Sequence, residues 1–249
     1  MQDLKISLIT VAFNAENTIE RCIQSVIRQT FKNVEYIIID GSSTDRTIQI
    51  VDQYKKHINI FLSEPDGGIY DAMNKGIKLA AGDIIGMLNA DDFFKDDNIL
   101  NTVAKTFIQQ NTPIIYGDLD FVNSQGKIVR KWRSGQYTRG MFNWGWMPPH
   151  PTFYCKRELF YTLGFYSLEY GTAADYELML RFMHLNNIYA FYIKKVLIGM
   201  EIGGISNKSF VNRVKGLFFD LKAMRKNGII LPVITLIFKP LRKTIQYFS

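Results

Sequence analysis

The chain is poor in the residues that build metal and disulfide frameworks: two cysteines and three histidines in 249 positions. Cys22 and Cys155 are far apart, and neither stands in a CxxC or CxxH arrangement. A zinc site and a disulfide scaffold are therefore not indicated, and both read as core thiols in a reducing compartment. Two phosphate-binding loops are also missing. The first strand runs into Phe13, Asn14, Ala15, Glu16 and Asn17 rather than G-x-G-x-x-G, and no G-x-x-x-x-G-K-S/T occurs, which argues against a typical dehydrogenase and a P-loop enzyme. Long apolar runs are absent as well. Residues 229–238 are apolar but interrupted by Pro232, about half the roughly 20 residues that a membrane-spanning helix needs. Residues 1–5 show no basic stretch followed by an apolar one, so no leader is expected and the body is expected in the cytoplasm.

Basic charge is scarce outside one region. The net charge is +7, yet residues 208–249 hold nine Lys and Arg against Asp220 alone, which leaves the remainder at −1. The body thus lacks the broad basic face of a nucleic-acid binder. What is plentiful is apolar and aromatic side chain, 47% and 14% of the chain, enough to bury a full core.

The apolar residues alternate between two periods. A β-branched run at residues 6–11 precedes a helix with Ile19, Cys22, Ile23, Val26 and Ile27 at helical spacing. A second strand at residues 36–39 ends at Asp40 and Gly41, and its helix carries Ile48, Val51 and Tyr54. A third strand is expected at 58–62, then a loop with Pro65, Asp66, Gly67 and Gly68, then a helix burying Ile69, Ala72, Met73, Gly76, Ile77 and Ala80. A fourth strand ends at Asp91 and Asp92, and a helix with Leu100, Val103, Ala104, Phe107 and Ile108 leads to a strand at 114–116. Strands alternating with helices predict an α/β fold with a mostly parallel sheet flanked by helices. Beyond residue 118 the pattern becomes short and antiparallel (Phe121 and Val122, then 128–132), followed by an aromatic, proline-rich stretch at 144–154 of the kind that lines pockets. Helices at 157–163 and 175–184 and a strand at 189–193 complete the body.

Acids sit where these strands end: Asp40, Asp66, and the pair Asp91 and Asp92. In an open α/β sheet, ligands bind in the crevice beyond the carboxyl ends of the strands. Carboxylates there can hydrogen-bond a base or ribose, and through a hard divalent cation they can hold a diphosphate.

Five segments carry a resemblance: ITVAFN at 9–14, IDGSSTD at 39–45, EPDGGIYDAMNKG at 64–76, LNADD at 88–92 and AADYEL at 173–178. In this order they resemble the signature segments of bacterial family 2 glycosyltransferases, over residues 4–206, and in particular the small enzymes of O-antigen, colanic acid and capsule assembly. The resemblance implies the GT-A (Rossmann-like) fold, a nucleotide-sugar donor, a divalent cation (Mn2+ or Mg2+) and inversion at the anomeric carbon. By the same resemblance Thr10, Phe13 and Asn14 lie along the base, and Asp40, with Ser42 beside it, meets uracil or ribose. An Asx-type turn or a helix cap is the alternative for Asp40. Asp66, Asn74 and Lys75 match positions near the donor sugar and phosphates, although Lys75 also fits a solvated helix lysine. Asn89, Ala90 and Asp91 occupy the family's D-x-D slot, so Asp91 is the expected metal ligand, with Asn89 a departure from the usual aspartate and Asp92 a neighbouring donor-side acid. Asp175 matches the catalytic base, with an ordinary helix cap as the alternative and Glu177 as the reserve candidate. His150, between two prolines, resembles a loop near the phosphates or acceptor, and residues 203–206 (GGIS) resemble a loop that closes over the donor.

The implied division is a glycosyltransferase domain at 1–207, with a nucleotide-sugar half at 1–117 and an acceptor half at 118–207, followed by a basic amphipathic tail at 208–249. In the tail Phe210, Val214, Leu217, Phe218, Leu221 and Met224 read as an apolar face against Arg213, Lys215, Lys222, Arg225 and Lys226. This pattern suits a helix lying on an anionic inner-membrane face, where a lipid-linked acceptor would be met; packing on the body or in a homodimer is the alternative. The expected reaction is transfer from a UDP-sugar to a polyprenyl-diphosphate-linked saccharide. Rival classes are a sugar nucleotidyltransferase, whose Gly-rich loop after strand one is absent here, and a catalytically silent nucleotide-sugar-binding subunit, which Asn89 and Ala174 favour slightly.

Overall fold

The computed structural model describes residues 4–202 and 210–246; residues 203–206, expected to form a closing loop, lie outside the described residues. The first strand, β1 (Ile6–Ala12), is buried along its whole length, as the apolar run predicts for a strand covered on both faces. It pairs in parallel with β2 (Val34–Asp40) on one side and β4 (Ile84–Met87) on the other, and β3 (Ile60–Ser63) extends the parallel set beyond β2. The helices α1 (Ile19–Ile27), α2 (Thr47–Gln53) and α3 (Ile69–Leu79) are the crossovers. Alternation along β1 separates two cores. Ile9 and Val11 pack with Ala72, Met73 and Ile77 of α3, while Ile6 and Leu8 pack with Cys22 and Ile23 of α1.

The sheet then becomes mixed. Its order is β3-β2-β1-β4-β8-β6-β9-β5, with β7 paired to β6. The added strands are β5 (Asp92–Phe94), β6 (Ile114–Val122), β7 (Ile128–Trp132), β8 (Tyr154–Lys156) and β9 (Ala190–Glu201), with α4 (Ile99–Gln110) between β5 and β6. The short helices α5 (Glu158–Leu163) and α6 (Ala174–Met179) complete this half, and α6 continues as a π-helical turn, Leu180–Leu185.

Several boundaries differ from the sequence expectation for identifiable reasons. The strand expected to end at Asp91 and Asp92 stops at Met87, and Asp92 opens β5, paired with β9. β3 starts at Ile60 rather than 58. β6 runs on past Tyr116 because its buried acids find partners: Ser134 N donates to Asp118 at 2.8 Å, and Arg133 pairs with Asp120 at 2.7 Å. β9 reaches Glu201 although Lys194 and Lys195 interrupt the apolar pattern. Lys195 reaches out to Asp96 at 2.9 Å, and the backbone ladder with β6 continues.

The tail forms α7 (Phe210–Lys226) and α8 (Pro232–Ile245), both packed on the body. The face expected to be apolar is divided. Met224 is buried beside Ala223, whereas Val214, Leu217 and Phe218 are exposed. The side chains of Phe210 and Arg213 lie outside the described residues. Anchors for α8 come from the turn Met141–Trp144: Thr235 Oγ1 donates to Asn143 O at 2.7 Å, Arg242 Nε to Trp144 O at 2.9 Å, and Phe238 meets Trp144 edge to face. Lys239 binds Asp220 of α7 at 2.6 Å. Gly145 permits the close approach, since it has φ +72° and a Cβ there would stand 2.5 Å from Lys239 N. Gly145→Ala is expected to lower stability by about 1–3 kcal/mol, and to raise amide exchange in α8 above that in β1; even loss of protection across the chain would contradict local anchoring.

Candidate active site

Because β1 lies between β2 and β4, the connections leaving β1 and those arriving at β4 run to opposite sides, and a crevice opens at their carboxyl ends. Phe13 and Asn14 follow β1; Phe13 is exposed, and Asn14 adopts a left-handed φ of 47°. The Asn14 amide donates to Ser43 Oγ at 2.8 Å, and its side chain accepts from Thr44 N at 2.9 Å, so the two strand-end loops are locked together. Ser42 is also left-handed, at 62°. Gly41 lets the loops approach: a Cβ there would meet Asp66 Oδ2 at 2.6 Å and Phe13 at 3.4 Å, so Asp66 would have to shift. The backbone thus gathers Phe13, Ser42 and Asp66 at one point. Asp66 caps the turn by accepting from Gly68 N at 2.8 Å, just before the amino end of α3, where unpaired amides favour an anion.

Two residues expected to touch the donor lie behind this surface. Thr10 is fully buried and sits 3.2 Å from the Tyr36 hydroxyl and 3.8 Å from Cys22 Sγ, because its position in β1 points it toward α1. Asp40 is fully buried as well. Its oxygens accept from Ser43 N (2.9 Å), Ser43 Oγ (2.5 Å) and Ser63 Oγ (2.7 Å), which is the Asx-type turn alternative. Lys75 is held on the loop, 2.8 Å from both Glu64 and Pro65 O, and the Glu64 carboxylate beside it raises its pKa.

At the end of β4 the acids have different fates. Asp92 is fully buried, and burial followed by the Asp91 charge raises its pKa well above its ordinary value. It accepts from Asn89 Nδ2 at 3.1 Å, which turns the Asn89 amide inward; Ala90 is buried beside them. Asp91 is partly exposed, and among the described residues no other residue donates a hydrogen bond to its carboxylate. Burial, then the Glu201 charge, raises its pKa, with Arg21 opposing. Arg21 donates to Asp91 O at 3.2 Å and pairs with Glu201 at 2.5 Å.

The opposite wall is a second polar group. Asn74 of α3 donates to Tyr166 O at 2.8 Å and accepts from Tyr166 N at 3.0 Å. The Tyr166 hydroxyl lies 2.8 Å from His150 Nε2, and its ring is 5.5 Å from that of Tyr70. The Asp175 charge reaches Tyr70, Tyr166 and His150 alike. Asp175 stands in the first turn of α6, half-buried, with Oδ1 accepting from Tyr176 N at 2.7 Å. Glu177, the reserve candidate, is committed elsewhere: its buried carboxylate receives a forked bond from Arg181 (3.0 and 2.9 Å) and one from Asn227 of the tail (3.3 Å).

The profile of the family "Glycosyl transferase family 2" matches residues 7–170. The chain belongs to that family. A PGL/p-HBAD biosynthesis glycosyltransferase of Mycobacterium bovis is 30% identical over 218 residues, covering 84% of this chain and 83% of the relative. Among solved structures, Staphylococcus aureus TarS 1–349 in complex with UDP-GlcNAc superposes with TM-score 0.73 at 19% identity, covering 90% of this chain and 66% of that one, just under two thirds of its length. A mannosyltransferase of Pyrobaculum calidifontis in complex with GDP-Man and Mn2+ gives 0.68 at 15% identity, over 95% of this chain and 72% of that one. The fold of this glycosyltransferase is accordingly GT-A.

In the glycosyltransferase, the residues that the motifs could not reveal are Arg21, Glu201, Tyr70 and Tyr166. Tyr70 lies inside the quoted segment 64–76, but nothing in its spacing marks it; the others meet the site only through the fold. No group of three or more His, Cys, Asp or Glu gathers among the described residues to hold a cation by itself. Mg2+ and Mn2+ need only one or two carboxylates where substrate phosphates supply the other ligands, and the unengaged Asp91 carboxylate fits that requirement. A separate cleft lined by Asp83, Lys156, Arg157 and Tyr161 lies at the opposite ends of the parallel strands, and Arg157 is already bonded to Gly82 O.

Burial lowers the pKa of His150, with the Asp175 charge only partly opposing. Below its ordinary value of 6.5 the folded chain therefore binds fewer protons at this site than the unfolded chain does. The stabilising contribution is complete above 6.5 and is lost as pH falls through the lowered value. Half-buried His184, its pKa lowered first by burial, adds a slope of the same sign. His150→Gln is expected to reduce the drop in urea midpoint between about pH 7.5 and pH 5.5, and an unchanged drop would contradict a neutral His150.

Proposed function

We propose that this glycosyltransferase is an inverting, metal-dependent enzyme that moves a sugar from a nucleotide diphosphate donor, a UDP-sugar, to a polyprenyl-diphosphate-linked saccharide in surface polysaccharide assembly. The observation that carries the reading is the separation of the two acids: Asp91 unengaged at the strand-order reversal, and Asp175 grouped with Tyr70, Tyr166 and His150 on the facing wall. Nucleotide sugars in the solved neighbours, UDP-GlcNAc in one and GDP-Man with Mn2+ in another, support the donor class. In this reading residues 1–117 hold the donor and residues 118–207 the acceptor.

Phe13, Asn14 and Ser42 frame the base, and Asp40 acts from behind by fixing the Ser42–Ser43 turn. Asp66 and the amino end of α3 face the sugar and phosphates, while Lys75 holds the loop that carries Asp66. Asp91 would ligate the divalent cation, which supplies charge neutralisation of the leaving diphosphate. Asn89, Ala90 and buried Asp92 form the support beneath it. As the acceptor hydroxyl oxygen bonds to the anomeric carbon, the bond from that carbon to the diphosphate oxygen breaks on the opposite face, and Asp175 takes the hydroxyl proton. Tyr70 and Tyr166 exclude water around that carboxylate, and Asn74 and His150 hold Tyr166 in place. Asp175→Asn is expected to cut transfer from a panel of nucleotide sugars by about 10²- to 10⁴-fold with nucleotide affinity retained; unchanged transfer would remove Asp175 as the base.

The tail supports a peripheral position on an anionic membrane face. Ile230, Leu231, Val233, Ile237 and Leu241 are exposed along α8 and its approach, with Arg242 and Lys243 at its end. No described helix is long and apolar enough to cross a bilayer. Removing the whole tail would strip Met224 and Ile229 from the core, whose burial contributes about 1.5–3 kcal/mol each, so substitution is the cleaner test. Ile237→Glu with Leu241→Glu is expected to abolish flotation with phosphatidylglycerol vesicles, whereas flotation equal to the parent chain would contradict membrane docking.

A further inference from the structure

A groove distinct from the strand-end crevice lies between the segment Leu168–Ala173 and α7, and it encloses about 540 Å³. Its lining combines apolar Tyr170, Phe218 and Leu221 with cationic Lys222, Arg225 and Lys226, and Glu169 is the one acid among them. The five residues from α7 fall at helical spacing on one face. The inner face of α7 is occupied, since Ala223 and Met224 are buried in the core and Phe219 packs against Gly171. The groove face is thus turned away from the core. Phe218 is 65% exposed there, while Tyr170 forms a floor that is only 6% exposed.

The cations are nearly unopposed. Lys222 pairs with Glu169 at 3.3 Å, but that carboxylate is three-quarters exposed, and the ammonium also lies 5.0 Å from the centre of the Tyr170 ring. Arg225 and Lys226 form no ion pair among the described residues. Like charges three and four residues apart on a helix repel, and an anion between them turns the repulsion into attraction. A ligand that satisfies this surface carries adjacent phosphates and, beside them, an apolar chain to lie against Phe218, Leu221 and the Tyr170 ring. Tyr170 also stands five residues before Asp175, on the segment that runs directly into α6.

We propose that this groove binds the diphosphate and the first isoprenoid units of a lipid-linked acceptor, so that the attached saccharide is delivered to the Asp175 side of the site. The proposal rests on the lipid-linked acceptor assigned above and adds its binding site. A bilayer headgroup would share the phosphate chemistry but would not need a floored groove, and the apolar edge of α8 already serves the bilayer.

The test uses the full chain with UDP and Mn2+ saturating, so that the strand-end crevice is filled, and farnesyl diphosphate as the probe. Farnesol, inorganic pyrophosphate and phosphatidylglycerol vesicles are the comparison arms. Farnesyl diphosphate is expected to bind more tightly than either half alone. Arg225→Gln with Lys226→Gln should weaken it by about tenfold, and Glu169→Gln, which frees Lys222, should tighten it. Parental affinity in the double variant, equal affinity for pyrophosphate, or a loss confined to the vesicle arm would each overturn the proposal. Turnover of nucleotide sugars in solution is read separately: its absence in the parent chain would sink the catalytic reading, whereas its persistence in the double variant alongside lost farnesyl diphosphate binding supports the groove.

Discussion

The position of β1 between β2 and β4 is the constraint on which the rest depends. With connections leaving this strand in one direction and returning to β4 in the other, no crossover can cover the carboxyl ends, and a crevice is unavoidable. The sequence then furnishes that crevice with strained or crowded backbone: Asn14 and Ser42 in left-handed conformations, and Gly41 pressed against Asp66. Strain at these points is offset by hydrogen bonds between the loops, Asn14 with Ser43 and Thr44, so the surface is set before any ligand arrives.

Two buried polar connections extend this order to the far wall. Asn74, Tyr166 and His150 link α3 to the loop before α6, and Glu177, Arg181 and Asn227 link α6 to the tail. Glu177 is buried with a forked guanidinium from its own helical run and an amide from the tail, so detaching the tail would take one of its partners. The tail is therefore support for the acid-bearing helix.

Much of this was legible in the residues. The alternation of strands and helices to residue 117, the strand-end acids and the five ordered segments fixed the fold and its family. Phe13 is exposed beside the crevice, and Asp91 is partly exposed. Motifs could not tell which oxygen atoms a neighbour consumes. Asp40 and Glu177 look available in sequence, yet Ser43 and Ser63 take one and Arg181 and Asn227 the other. Thr10 illustrates a related limit, since strand periodicity puts it on one face without saying that α1 covers that face. Arg21 and Glu201, 180 residues apart, become neighbours of Asp91 only because β9 pairs with β5.

Position of the cation is the most direct measure of the account. A crystal structure of the full chain with UDP and Mn2+ is predicted to show Mn2+ between the Asp91 carboxylate and the diphosphate, with Asp92 buried and out of contact. A well-ordered UDP in the crevice with Mn2+ held elsewhere, or with Asp91 directed away from the diphosphate, would contradict it.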